Sequence, residues 1–345
     1  MFKPNFKYTH RIVNNLVEIT SAREVILNAY IVPKWEISLR KEALIRATHA
    51  STAIEGNPLS LEEVSKLAQG RELTAARKAK QEVLNYLSVL ENIDNYQENG
   101  KITEKFILKL HKDITKNTLD NLSYEGEYRN IQVYVGNRIT GKVIFLPPAP
   151  KEVADLMKKF VEWLNSKEAQ LLHPVIIAGI SHYEFVRIHP FVDGNGRTAR
   201  ALATLILYLK KFDIKRFFAL DDYYDSDRAL YYNALKSVDQ KTLDITNWLE
   251  YFTEGGFISI SKVKERVLQL SLERRKKVIR GQIALTDRQM KIVEHIYKNG
   301  RLTSGEIQKM FKISRQAAYK EIKKLIELNL IKPKGSGKAV YYVIK

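Results

Sequence analysis

The sequence predicts a mainly α-helical protein with one small β-hairpin in its first three quarters and a separate C-terminal module of three helices followed by a second hairpin. Three observations predict this. Apolar residues recur at helical spacing along most of the chain. Alternating residues bounded by turn formers occur at 131–145 and again near the C-terminus. Of the net charge of +18, +15 falls after residue 256, where 22 Lys and Arg accompany 7 Asp and Glu.

The composition is that of a globular protein with two or three domains. The chain has 345 residues, 45% hydrophobic and 28% charged. It contains no cysteine, which excludes a disulfide scaffold, a Cys-ligated zinc site and a thiol nucleophile. No apolar run is long enough to span a bilayer, and the N-terminus lacks the apolar stretch of a signal peptide. We therefore expect a cytoplasmic protein with no membrane partner.

Each element of the first three quarters has its own signal. Residues 131–135 alternate as a strand does, and residues 143–145 can return beside them after turn formers at 136–141. Residues 174–186 are apolar on all sides and predict a central buried helix. The Glu-Gly-Gly sequence at 254–256 indicates the end of this domain. The predicted helices lie, in order, at 41–53, from a capping box at 60–63 onward, and at 75–90, 104–114, 152–164, 174–186, 197–209, 227–237 and 246–252.

The same patterns predict the domain boundaries. They give an N-terminal helical region with a helix around 41–56, a core with a hairpin, a basic helical connector and the C-terminal module. The connector could support a homodimer. These four segments span 1–100, 101–256 (hairpin at 129–147), 257–284 and 285–345.

Helices at 287–298, 304–311 and 314–328 followed by a hairpin have the order of a winged helix. Ser314 is placed to cap the third helix, and the residues that follow can face outward from it. Arg and Gln side chains can read base edges, and Lys can contact phosphates. DNA binding and protein docking therefore both remain open for this module. The candidate contacts are Arg315, Gln316, Lys320, Lys323 and Lys324, with Lys334 and Lys338 beside the wing tip.

Residues 189–200, HPFVDGNGRTAR, combine several groups that bind an anion. Gly194 and Gly196 let backbone N–H groups converge, as an anion-binding nest requires. The helix that begins near Gly196 adds the positive end of its dipole. Arg197 and Arg200 lie three residues apart on that helix, so both can reach the same anion. The stretch therefore predicts a phosphate-binding loop.

Three further side chains of this loop can carry chemistry. His189 can act as general base for an incoming hydroxyl. Asp193 is a hard oxygen ligand, suited to Mg²⁺ that is shared with a phosphate. Asn195 can donate to a phosphate oxygen or hold the shape of the loop. Together these residues predict an enzyme that acts on a nucleotide.

The stretch matches the motif H-x-F-x-[DE]-G-N-G-R-x-x-R of the Fic family at every specified position. Residues 126–129, 182–185 and 227–232 also resemble family segments, so that the resemblance covers roughly residues 35–255. The resemblance implies an adenylyltransferase, which moves AMP from ATP to a Ser, Thr or Tyr hydroxyl of a target protein and releases pyrophosphate. The target could include the enzyme itself.

The resemblance also implies a role for each residue. His189 deprotonates the target hydroxyl, and Asp193 holds Mg²⁺ between the α- and β-phosphates. Asn195 and the neighbouring amides stabilise charge at the α-phosphate, while both arginines hold the departing pyrophosphate. The remaining implied contacts are Gly194, Gly196, Arg197 and Arg200 on the phosphates, Tyr231 and Tyr232 beside the adenine, and Val133, Tyr134 and Val135 in a flap that pairs with the target backbone.

A second motif lies at 51–57, STAIEGN. Ser51 and Glu55 share one helix face, and Gly56 can end the helix. The segment resembles the inhibitory motif [ST]-x-x-x-E-[GN] of Fic proteins. By that resemblance Glu55 pairs with Arg200 in the space that the γ-phosphate of ATP needs. The enzyme would then be inactive at rest, and Glu55→Gly would activate it.

Two alternatives stay open. A transcriptional regulator could use the winged helix on DNA and the Fic-like domain only to sense a nucleotide, although His189 would then have no purpose. A related enzyme could transfer a different phosphate-containing group. The phosphate-transferring relatives, typified by the Doc toxins, carry Lys where this chain has Gly196, so the intact glycine favours AMP transfer.

Overall fold

The computed structural model describes residues 2–29, 31, 33–136, 143–213, 215–275, 285–335, 337 and 340–345. The chain divides into two compact units. One comprises Met1–Leu27 and Glu42–Glu265, and the other comprises Asn28–Lys41 and Arg266–Lys345. Within the described ranges, no helix combines the length and the apolar character needed to cross a membrane.

The predicted mainly α-helical fold is confirmed. Within the described residues, two short strands form the only sheet of the first unit, and two further strands pair in the second unit. The helices are α1 His10–Asn28, α2 Pro33–Ile54, α3 Leu61–Ala68, α4 Arg77–Glu91, α5 Glu104–Thr115, α6 Pro150–Leu164, α7 Lys167–Leu171, α8 Pro174–Ile188, α9 Asn195–Leu209, α10 Asp221–Ser226, α11 Arg228–Lys236, α12 Thr246–Arg275, α13 Asp287–Asn299, α14 Ser304–Phe311 and α15 Arg315–Glu327, and the strands are β1 Val135–Gly136, β2 Val143–Phe145, β3 Ile331–Lys334 and β4 Tyr341–Ile344.

Helices α8 and α9 form the centre of the first unit, and nearly all of their residues are buried. Helix α8 starts where the His173 side chain accepts the Val175 N–H at 3.2 Å, with Pro174 in the first turn. It ends at His189, whose φ of 52° turns the chain out of the helix. Helix α9 begins six residues later, after Gly194 at φ 78°. The loop that joins α8 to α9 is therefore short, and both of its ends are fixed by buried helices.

The predicted strand at 131–135 is wrong for most of its length, because β1 contains only Val135–Gly136. Residues 131–134 are held by side chains instead. Gln132 Nε2 donates to the carbonyls of Val133 and Pro147, both at 3.1 Å, and so occupies acceptors that a ladder would use. The return strand at 143–145 is confirmed as β2. The predicted turn at 137 and 140–141 lies outside the described residues.

The helix predicted at 246–252 is too short, because α12 continues through 254–256 as far as Arg275. A Cβ on Gly255 would lie 2.4 Å from Cδ1 of Tyr223, so the glycine allows close packing rather than ending the helix. The predicted helix at 41–53 likewise begins eight residues earlier, at Pro33 in α2. Of the predicted connector at 257–284, residues 276–284 lie outside the described part.

The second unit has the predicted order of three helices and a hairpin. Thr286 and Thr303 form capping boxes at α13 and α14, and Ser314 accepts the Ala317 N–H at 3.2 Å to cap α15. In the hairpin, β3 and β4 are antiparallel, with Ile331 opposite Ile344. The N-terminal part of α2 belongs to this unit, where Ile37 packs against the core. Of the predicted wing turn, residues 336 and 338 are outside the described residues.

Candidate active site

The loop between α8 and α9 presents His189 with one ring nitrogen available. Nδ1 lies 3.1 Å from the carbonyl oxygen of Val186, which can only accept, so Nδ1 carries the proton and Nε2 keeps its lone pair. Burial lowers the pKa of His189, although the Val186 carbonyl and nearby Glu55 oppose this. The imidazole is therefore neutral near pH 7 and can accept a proton, as the sequence predicts for a general base.

The N-terminus of α9 forms an anion site. Its cap residue, Gly194, has no side chain to satisfy the first N–H groups of the helix, so these donors and the helix dipole remain directed at the loop. A Cβ built on Gly196 would lie 2.1 Å from Oε1 of Glu55. The Glu55 carboxylate thus stands directly over the backbone of Gly196, where a phosphate would bind a helix N-terminus.

Asn195 holds the loop rather than facing outward. Its side-chain oxygen accepts the Phe191 N–H at 2.9 Å, and its amide donates to the Phe191 carbonyl at 2.8 Å. Both ends of the side chain are engaged and the residue is 2% exposed. This geometry favours the alternative that Asn195 maintains the loop, and its implied role at the α-phosphate stays a prediction.

Arg197 is buried with unused donors. Its side chain is 3% exposed, and its Nη1 and Nη2 lie 3.5 Å from Glu82 and 3.7 Å from Asp193, beyond good hydrogen-bond distance. Within the described residues, Nε and Nη1 have no hydrogen-bond partner. A buried guanidinium with unsatisfied donors is costly unless a ligand completes it. The predicted phosphate-binding role of Arg197 fits this arrangement.

The structure brings Arg200 together with both residues of the second motif. Arg200 Nη2 donates to Glu55 Oε1 at 2.8 Å and to the Ser51 carbonyl at 2.8 Å, and Nε donates to Ser51 Oγ at 2.7 Å. The arginine side chain is 1% exposed and that of Glu55 32%. Burial alone would lower the pKa of Arg200, but Glu55 and the other nearby acidic groups raise it. The guanidinium stays charged in the core.

Asp193 could serve as a single metal ligand. Its Oδ1 accepts the Gly194 N–H at 2.6 Å, and its side chain is 50% exposed, which leaves Oδ2 accessible. Across the part of the chain that is described, no group of three or more His, Cys, Asp or Glu residues could hold a metal ion. One hard carboxylate oxygen fits a Mg²⁺ ion whose other ligands are phosphate oxygens and water.

The predicted flap lies beside the loop and is tied to it by Arg129. Of its three predicted docking residues, Val135 lies in β1 opposite Phe145, whereas Val133 and Tyr134 precede the strand. Tyr134 is 63% exposed. The Arg129 guanidinium donates to the carbonyls of His189 at 2.8 Å, Ile131 at 3.2 Å and Pro148 at 2.5 Å. Arg129 therefore links both ends of the flap to the general-base candidate.

The two predicted adenine contacts differ in accessibility. Tyr231 is 2% exposed, its hydroxyl lies 2.9 Å from His182 Nε2, and its ring stacks on Tyr224 at 4.7 Å. Tyr232 is 38% exposed. Tyr231 is thus a core residue with its ring against Tyr224, whereas Tyr232 offers a more exposed ring that could stack on a base. The implied adenine contacts of both residues stay predictions.

Sequence reasoning missed His111, which supports the loop from α5. Gly126 N–H donates to Nδ1 at 3.0 Å, so Nε2 carries the proton and donates to the Asp193 carbonyl at 2.9 Å. The ring also stacks on Phe191, with centroids 3.6 Å apart. Burial lowers the pKa of His111 to about 4, which keeps this tautomer neutral. A lone histidine on an amphipathic helix gave no signal of this role.

Comparisons with known proteins bear on the identity of both units. The Fic/DOC family model matches residues 101–207, and a model for winged helix-turn-helix DNA-binding segments matches residues 285–332. The chain is 37% identical over 171 residues to the protein adenylyltransferase Fic of Aedes aegypti, covering 48% of this chain and 32% of that protein. It is likewise 37% identical over 171 residues to the protein of the same name from Drosophila melanogaster, covering 49% and 33%. The chain thus spans about a third of the length of these curated relatives.

Solved structures agree on the fold. A Fic family protein from Desulfovibrio desulfuricans G20 superposes with a TM-score of 0.66 at 24% identity, covering 100% of this chain and 98% of that one. Fic-1 of C. elegans (residues 134–508) superposes with a TM-score of 0.58 at 24% identity, covering 75% and 73%. The motif at 189–200 lies within the segment that matches the Fic/DOC family model, and the fold around it is that of solved Fic structures. Residues 101–207 are therefore similar to the Fic/DOC family, and the segment that matches the winged helix-turn-helix model follows them.

Proposed function

We propose that this protein is an adenylyltransferase that moves AMP from ATP to a hydroxyl group of a target protein and that Glu55 holds it inactive. The observation that supports this most directly is the buried Arg197 and Arg200 pair at the α9 N-terminus, with unused donors on both guanidinium groups among the described residues. Such a site suits the triphosphate of a nucleotide. The relatives named protein adenylyltransferase Fic carry the same domain.

The proposed step is a displacement at the α-phosphorus. The target hydroxyl oxygen attacks it, its proton passes to Nε2 of His189, and the bond between the α-phosphorus and the bridging oxygen breaks to release pyrophosphate. Arg197 and Arg200 hold the charge on the departing phosphates. Asp193 would hold Mg²⁺, which would neutralise charge on the phosphates. His111 and Asn195 keep the loop in shape.

Glu55 blocks this site by occupying it. Its carboxylate uses Arg200 Nη2 and stands over Gly196, so that a phosphate cannot use the same donor and the same space. Like charges would also repel at this distance. ATP would therefore bind without its terminal phosphate in place, and transfer would be slow until Glu55 withdraws.

The test uses ATP labelled at either the α- or the γ-phosphate, incubated with the Glu55→Gly protein and cell lysate. Protein label from α-labelled ATP alone, lost in the Glu55→Gly, His189→Ala double variant, is the expected result. Label from γ-labelled ATP alone would assign transfer of a different phosphate group. Label from neither would favour a domain that only senses nucleotide. Mass spectrometry of the labelled proteins, including the enzyme, then identifies the targets.

We further propose that the second unit binds duplex DNA through α15. Arg315, Gln316, Lys320 and Lys323 are all exposed on this helix, which follows α14 as a recognition helix does. The net charge of the segment also favours a polyanion. The family match to winged helix-turn-helix DNA-binding segments supports this role.

Salt-dependent binding of the full chain to duplex DNA tests this second function. Lys323→Ala should weaken binding to all sequences alike and reduce the slope of log affinity against log salt by about 1. Lys262→Ala is the control, because Lys262 is exposed on α12 in the other unit. If the full chain binds no DNA, or if both variants weaken binding equally, protein docking becomes the better assignment for this unit.

A further inference from the structure

A second carboxylate, that of Asp221, lies beside Arg200 in addition to Glu55. Asp221 is the first residue of α10, and its side chain is 5% exposed. Its Oδ1 lies 3.5 Å from Arg200 Nε and has no hydrogen-bond partner among the described residues. Neither sequence motif includes Asp221. A buried carboxylate with an unsatisfied oxygen is costly, so its proximity to a buried guanidinium requires an explanation.

The contacts of Arg200 come from two separate elements. Arg200 donates to Ser51 and Glu55, which lie in or just after the last turn of α2. Asp221 belongs to α10, about 170 residues further along the chain. Withdrawal of the end of α2 would remove Glu55 and leave Asp221 as the counter-charge of Arg200. When the site opens, Glu55 therefore leaves Arg200 and Asp221 stays beside it.

We propose that Asp221 is a positioning residue that holds Arg200 ready for the terminal phosphates of ATP once Glu55 has left. This inference rests on the proposed adenylyltransferase function. Asp221 acts through Arg200 and touches no substrate itself. The proposal also explains why Asp221 Oδ1 has no hydrogen-bond donor within the described part of the chain. Arg200 Nε now donates to Ser51, and it becomes free to donate to Asp221 Oδ1 when Ser51 and Glu55 move away.

The surroundings of Asp221 keep it charged at neutral pH. Burial, with Asp222 adding to it, raises the pKa of Asp221 to about 6, even though Arg200 and a hydrogen bond with Ser51 act to lower it. The hydroxyls of Tyr86 and Tyr224 are also close enough for the Asp221 charge to raise their pKa values. Above pH 7 the carboxylate is therefore ionised and can pair with the guanidinium.

The experiment compares Asp221→Asn with its parent in the Glu55→Gly background, where the site is open. Calorimetry should show ATP affinity lower by roughly 10-fold and AMP affinity unchanged, because only ATP carries the phosphates that Arg200 would contact. Asp222→Asn is the matched control, since this neighbour on α10 pairs with Arg46 at 2.6 Å instead. It should leave the affinities for both nucleotides unchanged. Equal or tighter ATP binding by Asp221→Asn, or equal loss of ATP and AMP binding, would overturn the proposal.

A second measurement holds even if the double variant is unstable. Asp221→Asn should lower the Tm more in the Glu55→Gly background than in the wild type, because only the double variant leaves Arg200 buried without a carboxylate. Equal decreases in the two backgrounds would overturn the proposal. Failure of the proposed function has a different outcome: the Glu55→Gly parent would then transfer no AMP, while the unfolding comparison would still report on Asp221.

Discussion

Replacing Glu55 by glycine should release the active site, and the structure sets the size of the effect. The carboxylate accepts one charge-assisted hydrogen bond of 2.8 Å from an arginine that is 1% exposed, while the Glu55 side chain is 32% exposed. A hydrogen bond to a charged group contributes about 1.5–3 kcal/mol, and the partial exposure of Glu55 argues for the lower half of that range. With about 1.4 kcal/mol per tenfold change, AMP transfer should rise roughly 10-fold to 40-fold.

The assay is the initial rate at which protein acquires label from α-labelled ATP. The Glu55→Gln variant separates the effect of the negative charge from that of the space the side chain fills. It keeps the side chain over Gly196 but removes its charge, so we expect the rate of AMP transfer to increase less than in Glu55→Gly. Glu62→Gly is the control, because that side chain is 78% exposed and pairs with Lys66 on the surface of α3. The reasoning is refuted if Glu55→Gly has the wild-type rate while His189→Ala abolishes transfer.

Three further predictions concern residues that shape the site. Since burial lowers the pKa of His111 from 6.5 to about 4, its folded form stays neutral while the unfolded chain takes up a proton. The free energy of unfolding should therefore fall by on the order of 3 kcal/mol between pH 6.5 and 4. Urea titrations measure this, and an equally steep fall in His111→Gln would contradict it. Asn195→Ala should lower the free energy of unfolding by about 2 kcal/mol, because two hydrogen bonds to Phe191 are lost; an unchanged urea midpoint would count against a structural role. Arg129→Met should reduce kcat for transfer in the Glu55→Gly background roughly 10-fold and leave ATP affinity unchanged, because it loosens the flap rather than the phosphate site; weaker ATP binding with unchanged kcat would refute this.

Local signals in the sequence predicted much of the site. The glycines at 194 and 196, the arginines three residues apart and the histidine before them are neighbours in the chain, so their proximity follows from a turn and one helical repeat. The contact between Arg200 and Glu55 is different, because the two residues are separated by 145 positions. Periodicity alone could not connect them, and only the family resemblance indicated that they meet.

Packing adds a second role to residues whose chemistry suggested a ligand contact. Asn195 has the side chain of a phosphate donor, and both of its polar ends are hydrogen-bonded to Phe191 within the loop. Tyr231 has the ring of a base-stacking residue, and in the structure its hydroxyl lies beside His182 and its ring stacks on Tyr224. In both cases the residue type allows two roles, and the structure shows contacts that serve the structural one.

The sequence by itself determined the helical class and the order of helices and hairpin in the C-terminal module, and it marked the motifs at 189–200 and 51–57, because each depends on residues close together in the chain. The tertiary structure alone decided that residues 28–41, which include the start of α2, belong to the C-terminal unit. It also decided that Asp221 lies beside Arg200 and that His111 is bonded to the loop. The physical reason is that burial and distance between remote segments determine which side chains meet, and neither property is encoded in the spacing of neighbouring residues.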